Sequence, residues 1–218
     1  MHTKDGAHAA CLLIAYATAK DRKTMVKSLK EIILQMSTDQ YAHTVLLTLL
    51  AVVDDTKFVS KAIHSELQGQ WSDVIWDKWG RRIVLFLCRE DKDPLIKEVR
   101  EKSAGTSKKD TAVRRGELLE TFATELLAVV GTEADRMMRD PQSSQVVQEI
   151  LLFTKENGDA KSKAVDAVVA LGSGDPSEEK HIIRVPFTAR IYKTLVQGGH
   201  YNPKEKNVEG IMVFWEPD

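Results

Sequence analysis

Apolar residues along the chain fall three and four apart in short runs separated by polar turns, which is the spacing of amphipathic helices rather than of strands. The first run, Asp5 to Tyr16, predicts a helix, followed by a turn at Thr18 to Asp21 and a second helix through Met25, Leu29, Ile32 and Ile33. A second group starts near Ser37, whose hydroxyl is placed to cap a helix, and runs from Tyr41 to Val53. Asp54 and Asp55 open the next helix, with Phe58, Val59, Ala62 and Ile63 on one face, because acids suit the positive end of a helix dipole. Trp71, Val74, Ile75 and Trp76 precede a helix from Gly80 to Cys88, and Asp93-Pro94 begins another, with proline in a first turn where no donor is lost.

These groups repeat. Lys4-Asp5-Gly6-Ala7-His8-Ala9-Ala10-Cys11-Leu12-Leu13 recurs as Gln40-Tyr41-Ala42-His43-Thr44-Val45-Leu46-Leu47 and as Lys78-Trp79-Gly80-Arg81-Arg82-Ile83-Val84-Leu85-Phe86-Leu87. Taking Gly6, Ala42 and Gly80 as equivalent small positions, the steps are 36 and 38 residues, a period of stacked helical units. The chain therefore reads as an all-α protein, an α-solenoid, with about three repeats in residues 1–101, the first of them truncated. Residues 102–113, with Lys102-Ser103-Ala104-Gly105-Thr106-Ser107-Lys108-Lys109-Asp110 at their start, read as a polar linker or loop. Residues 114–218 form a divergent second part. It holds a helix through Leu118, Leu119, Phe122, Leu126 and Leu127, a turn at Asp140-Pro141, and a fourth related helix from Ser143 to Leu152. A fifth unit with irregular spacing is expected at Phe187 to Leu195, and the apolar end Ile211-Met212-Val213-Phe214-Trp215 reads as unfinished, stopping before a last packing element.

Composition narrows the picture. With 43% hydrophobic residues the 218-residue chain can bury a core, and the net charge of −1 gives no global attraction for a polyanion. The charge is segregated, however. Twelve basic residues face six acids between Lys78 and Arg115, and three face nine between Gly116 and Ala160, so a basic face can exist on a nearly neutral protein. Cys11 and Cys88 sit in apolar helical runs, as buried thiols of a reducing compartment do. The longest apolar stretch, Val45 to Val53, is far shorter than the ~20 residues that cross a bilayer, and no secretory signal is legible.

No catalytic spacing is present: the chain has no HExxH, no Cys-x-x-Cys, no Gly-x-Ser-x-Gly and no P-loop lysine. The six histidines make no i,i+4 pair, so no metal or other cofactor and no small-molecule substrate is expected. Gly172-Ser173-Gly174 is followed by Asp175, Glu178 and Glu179, which repel anions, and reads as a plain helix-to-helix turn. The repeated helix is the better candidate. Residues at the same offsets, with neighbouring lysines, collect Lys4, His8, Lys78, Arg81, Arg82, Ser144, Gln145, Gln148, Arg190 and Lys193. Guanidinium groups grip phosphate and stack on bases, so this set suits RNA.

The aligned helices resemble Pumilio (Puf) repeats. His2-Thr3-Lys4-Asp5-Gly6-Ala7 with Thr18-Ala19-Lys20-Asp21-Arg22-Lys23 resembles the Penguin-type, Puf-A branch more narrowly, and Arg139-Asp140-Pro141, Gln145-Val146-Val147-Gln148 and Lys193 to His200 resemble its C-terminal region. The resemblance implies a right-handed superhelix and a protein of the nucleus and nucleolus that acts in large-subunit ribosome assembly and rRNA processing. The implied partners are ribosomal precursor RNA and pre-ribosomal assembly proteins, with translational repression of mRNA as a second role. Puf repeats read one base each through two or three side chains. Only Ser144, Gln145 and Gln148 keep that pattern, while Ala7 with Cys11, His43 with Leu47 and Arg81 with Leu85 cannot pair with base edges. The expectation is therefore backbone binding by a basic solenoid face without a base code; the alternative is a non-catalytic scaffold for other proteins, which the near-zero net charge favours.

Overall fold

The computed structural model describes residues 2–89, 93–155, 158–202 and 207–209. The chain divides into two compact units, Met1–Phe122 and Ala123–Asp218. The architecture is helical, as the periodicity predicts.

The first unit contains α1 (Lys4–Tyr16), α2 (Ala19–Leu29), a 3-10 turn at Lys30–Ile32, α3 (Ile33–Thr38), α4 (Ala42–Val52), α5 (Thr56–Leu67), α6 (Trp71–Trp76), α7 (Gly80–Cys88), α8 (Pro94–Ser103) and the start of α9 (Thr111–Met138). Equivalent helices stack: α1 packs on α4, α4 on α7, and α2 on α5. α4 is apolar on every side and is accordingly buried on every side, with Thr44 alone half-exposed. Trp71 and Phe122 meet at 5.2 Å between ring centroids and tie α6 to α9. Cys11 and Cys88 are both buried.

Two boundaries differ from the expected ones. α2 begins at Ala19, because the Thr18 hydroxyl accepts the Asp21 N–H and so caps the helix where a turn was expected. Ser37 lies inside α3 and donates to the Leu34 carbonyl at 2.7 Å, so it caps nothing; Asp39 opens α4 instead.

α8 reaches beyond its neighbour α7. It packs on α1 and α4, with Ile96, Val99 and Ser103 on its buried side. The segment 102–113 then holds the end of α8, a turn and the start of α9. Asp54 organises that turn, accepting from the Lys108 N–H at 2.7 Å, the Lys109 N–H at 3.2 Å, the Ser107 hydroxyl at 3.0 Å and the Arg114 guanidinium at 2.6 Å. Burial opposes the charge on Asp54, yet these donors outweigh it and hold its pKa at about 2. Buried Arg22 donates to the Ile14, Ala15 and Val52 carbonyls and to the Thr106 hydroxyl, closing the ends of α1 and α4 against the same turn.

The second unit holds the rest of α9, α10 (Ser143–Phe153), α11 (Asp159–Ala170), a 3-10 turn at Ile182–Arg184, α12 (Thr188–Val196) and the strands β1 (His200–Asn202) and β2 (Asn207–Glu209). α9 bends at Glu133, whose φ of −115° and ψ of 16° leave the helical region. α10 packs on α11 and α12 around Val146, Ile150 and Leu151. The Tyr192 hydroxyl donates to the Val168 carbonyl at 2.7 Å and joins α12 to α11. The strands pair antiparallel with Tyr201 opposite Val208, an element that helical periodicity did not predict. Gly172-Ser173-Gly174 is an exposed turn after α11, with Gly174 at φ +105°. The apolar stretch Ile211 to Trp215 lies outside the described residues.

Candidate nucleic-acid interface

Four of the five repeat helices open on the same local device. Asp39 Oδ1 accepts the N–H groups of Tyr41 and Ala42, both at 2.8 Å, and Asp77 Oδ1 accepts those of Trp79 at 2.7 Å and Gly80 at 2.8 Å. Asp140 Oδ1 does the same for Gln142 at 3.1 Å and Ser143 at 2.6 Å, and Thr3 Oγ1 accepts the Gly6 N–H at 3.1 Å. In the fifth helix Val185 stands in this place, and its backbone carbonyl accepts the Thr188 N–H instead. The orphan donors of each first turn are thus satisfied from three residues upstream, which makes Gly6, Ala42, Gly80, Ser143 and Thr188 structurally equivalent. The small residue is required by packing at Gly80, where a Cβ would collide with the Val74 carbonyl oxygen.

In the first unit part of the face expected to meet RNA is covered by the chain itself, while His8 stays exposed and Arg81 and Arg82 half-exposed. Ala7, Cys11 and Leu47 are buried, and α8 lies against α1 and α4 on the side that carries His8 and Arg82. His8 Nε2 is 3.6 Å from Glu98 of α8, and Arg82 donates to Asp93, the residue that caps α8, at 2.6 Å. Burial pushes the Cys11 thiol up, with the charge of Asp93 adding to it. Arg82 therefore ties down the start of α8, and His8, although close to Glu98, remains on the surface.

The second unit repeats this in another form. Ser144 is 0% exposed and Gln148 is 6% exposed, so the one repeat whose side chains match a base-reading pattern does not present them. His200 of β1 covers the end of that row. Its Nε2 lies 2.8 Å from Glu149 Oε1 and 3.4 Å from Gln148 Nε2, and its ring stacks on Phe153 at 6.4 Å. The placing of Ser144 and Gln148 on an accessible face is corrected accordingly, and Gln145 is half-exposed.

Of the cations expected in the site, Lys4 on α1, Lys78 just before α7, and Arg190 and Lys193 on α12 are exposed; Arg81 and Arg82 are half-exposed. Beside Lys78 stands a group that the sequence reading did not select. Trp79 stacks on His43 with centroids 5.1 Å apart and planes 28° apart, and Lys78 Nζ stands 4.5 Å from the Trp79 ring centroid. Arg82 Nη1 can only donate, so His43 Nε2 is the acceptor at 3.0 Å and the His43 proton sits on Nδ1, donating to the Asp39 carbonyl at 3.0 Å. Burial first, and then the Arg82 charge, lower the His43 pKa against that hydrogen bond and keep the ring neutral. The signal available in the sequence was the aromatic one residue before the small position, Tyr41 in one repeat and Trp79 in the next.

Among the described residues no group of three or more His, Cys, Asp or Glu is placed to hold a metal, and no helix is long and apolar enough to cross a membrane.

Residues 76–206 match the CPL (NUC119) domain family. The chain is 37% identical over 217 residues to the Pumilio homology domain family member 6 of Schizosaccharomyces pombe, covering 95% of this chain and 33% of that protein. It is 34% identical over 220 residues to Pumilio homolog 3 of Homo sapiens, covering 97% and 34% respectively. The chain thus spans about a third of the length of these relatives. Among solved structures it is similar to human Puf-A, with a TM-score of 0.78 at 33% identity over 90% of this chain and 40% of that one. The structure of human Puf-A in complex with DNA gives a TM-score of 0.81 at 31% identity over 97% and 42%.

Proposed function

Because the chain belongs to the CPL (NUC119) domain family, we propose that it is a non-catalytic nucleic-acid-binding module that holds RNA by its backbone and does not read a base code. The observation that carries this reading is the self-coverage of the base-reading rows. α8 covers the row containing Ala7, Cys11 and Leu47, and His200 lies over Gln148, while Lys4, Lys78, Arg190 and Lys193 remain exposed. Exposed lysine and arginine side chains meet phosphates wherever the sequence runs. The similarity to human Puf-A in complex with DNA supports the same class of ligand.

The finer reading is that the bound RNA is ribosomal precursor RNA in large-subunit assembly, that the module works in the nucleolus beside pre-ribosomal assembly proteins, and that repression of mRNA is a secondary role. Its support is the Puf-A-type pattern at Lys4 to Ala7 and Thr18 to Lys23, together with the Pumilio relatives. The scaffold reading keeps one observation in its favour, the exposed Leu13 and Tyr16 on α1.

A panel of single-stranded and hairpin RNAs at two salt concentrations tests the mode of binding. Affinity is expected to fall steeply with salt, with a slope near −0.7 per phosphate contacted on single strands, and to vary little with sequence. A preference above roughly a thousandfold for one short sequence, persisting at high salt, overturns it, since a bidentate base contact supplies only about 1–3 kcal/mol. Recovery of precursor rRNA with the protein, before and after nuclease treatment, separates the RNA reading from the scaffold reading.

A further inference from the structure

We propose that Trp79 is a platform on which an unpaired nucleobase stacks, with Lys78 meeting the phosphate beside it. The proposal rests on the nucleic-acid reading above and assigns it a place outside the covered base-reading rows.

The indole is held before any ligand arrives. The backbone N–H of Trp79 donates to Asp77 Oδ1 at 2.7 Å, which fixes where the residue stands, and the indole ring lies on His43. His43 is in turn held by the Asp39 carbonyl on one nitrogen and by Arg82 on the other. The ring thus rests on a histidine held from both sides by residues of two repeats, and it is still partly open to solvent. A platform whose rotamer is already fixed loses little entropy when a flat ligand lands on it.

Lys78 gives the site its chemical sense. Its ammonium stands over the indole, is exposed, and makes no ion pair among the described residues. A cation there disfavours a cationic guest such as a methylated lysine and favours a flat ring that carries its own negative charge, which is the description of a nucleotide. When the base arrives, the ammonium gives up a weak cation–π contact in water for a phosphate oxygen. Base stacking on an aromatic tolerates every base, so the site adds affinity for single strands without adding a code. Bases inside a duplex are already stacked and cannot use it. Tyr41 holds the equivalent place one repeat earlier, its N–H likewise fixed by Asp39, and Phe187 holds it in the fifth unit.

The test compares the whole chain with its Trp79→Ala, Trp79→Phe and Lys78→Gln variants, using oligouridine and an RNA duplex of equal phosphate count at one moderate salt concentration. Trp79→Ala is expected to weaken oligouridine binding by roughly tenfold, the alanine-scan scale of one stacked base, and duplex binding by less than about twofold. Trp79→Phe keeps most of the affinity. Oligouridine quenches a component of the tryptophan fluorescence in the parent protein that is missing from Trp79→Phe, and Lys78→Gln reduces the single-strand salt slope by about 0.7. If Trp79→Ala does not fold by circular dichroism, the quenching comparison and the Lys78→Gln slope decide the matter, since neither needs the truncated side chain. An oligouridine affinity unchanged in folded Trp79→Ala, or an equal loss on both RNAs, overturns the platform and leaves the nucleic-acid reading standing. A parent protein that binds neither RNA overturns both.

Discussion

The two carboxylate oxygens of Asp93 act in different directions: Oδ2 accepts from the Arg82 guanidinium of α7 at 2.6 Å, and Oδ1 accepts the Leu95 N–H of α8 at 2.8 Å. One residue thus caps α8 and fastens its start to the preceding repeat helix. The same guanidinium reaches His43, so contacts from α4 and from the start of α8 converge on Arg82 of α7.

Arg82→Ala is accordingly expected to act on stability more than on RNA. Losing a charge-assisted pair that is partly shielded from water costs about 1.5–3 kcal/mol. Chemical denaturation of the variant should show this as a lower midpoint, while its RNA salt slope stays that of the parent protein.

Gly80→Ala should destabilise, although alanine is the better helix former by about 1 kcal/mol. The added Cβ has the Val74 carbonyl in its way, and backbone cannot swing aside as a side chain end can. The expected cost is about 1–3 kcal/mol, read as a fall in the thermal midpoint. A rise would mean that α6 shifts freely relative to α7.

Leu49→Ala removes a side chain that is 1% exposed at the centre of α4, with Val45 and Val52 buried on either side of it. A loss of about 2–5 kcal/mol is expected. Because α4 touches α1, α7 and α8, hydrogen exchange should quicken in all four helices together.

Acid should weaken the first unit over a defined interval. Asp39 is held at about 2, chiefly by the Ala42 N–H and then the Tyr41 N–H, and Asp54 is also at about 2. In the unfolded chain such groups take up a proton near about 3.9. Between these values the unfolded state binds more protons, so their stabilisation is complete above about pH 5 and is lost as pH falls through about 4 towards 2. The thermal midpoint, followed from pH 6 to pH 2.5, should drop in that interval, and less so in Asp54→Asn.

The starts and buried faces of the repeat helices were legible because both are local. The apolar run from Tyr41 to Val53 marked a core helix, and the small residues Gly6, Ala42 and Gly80 marked equivalent turns. The capping acids Asp39, Asp77 and Asp140 were also legible, three residues before each small position, although Ser37 two residues upstream of Asp39 offered a competing hydroxyl. The destination of α8 was not. Its pattern of Ile96, Val99 and Ser103 tells which side is buried, but periodicity carries no information about which helix lies opposite. Gln148 failed for a related reason: an amide on a repeat helix reads as a surface group until a histidine 52 residues later is laid beside it.

The reach of Arg22 bears on how the first unit is made. In a plain solenoid each repeat can settle on its predecessor as soon as it leaves the ribosome, since neighbours supply all the contacts. Here the Arg22 guanidinium finds its last partner, the Thr106 hydroxyl, 84 residues along the chain. The apolar side of α1 and α4 waits as long for α8. Assembly of this unit is therefore a closing step rather than a zipping one, with the loop-closure delay of long-range contacts. Nascent chains halted before about residue 107 should expose that side to chaperones and proteases, whereas chains released past it should become protected all at once.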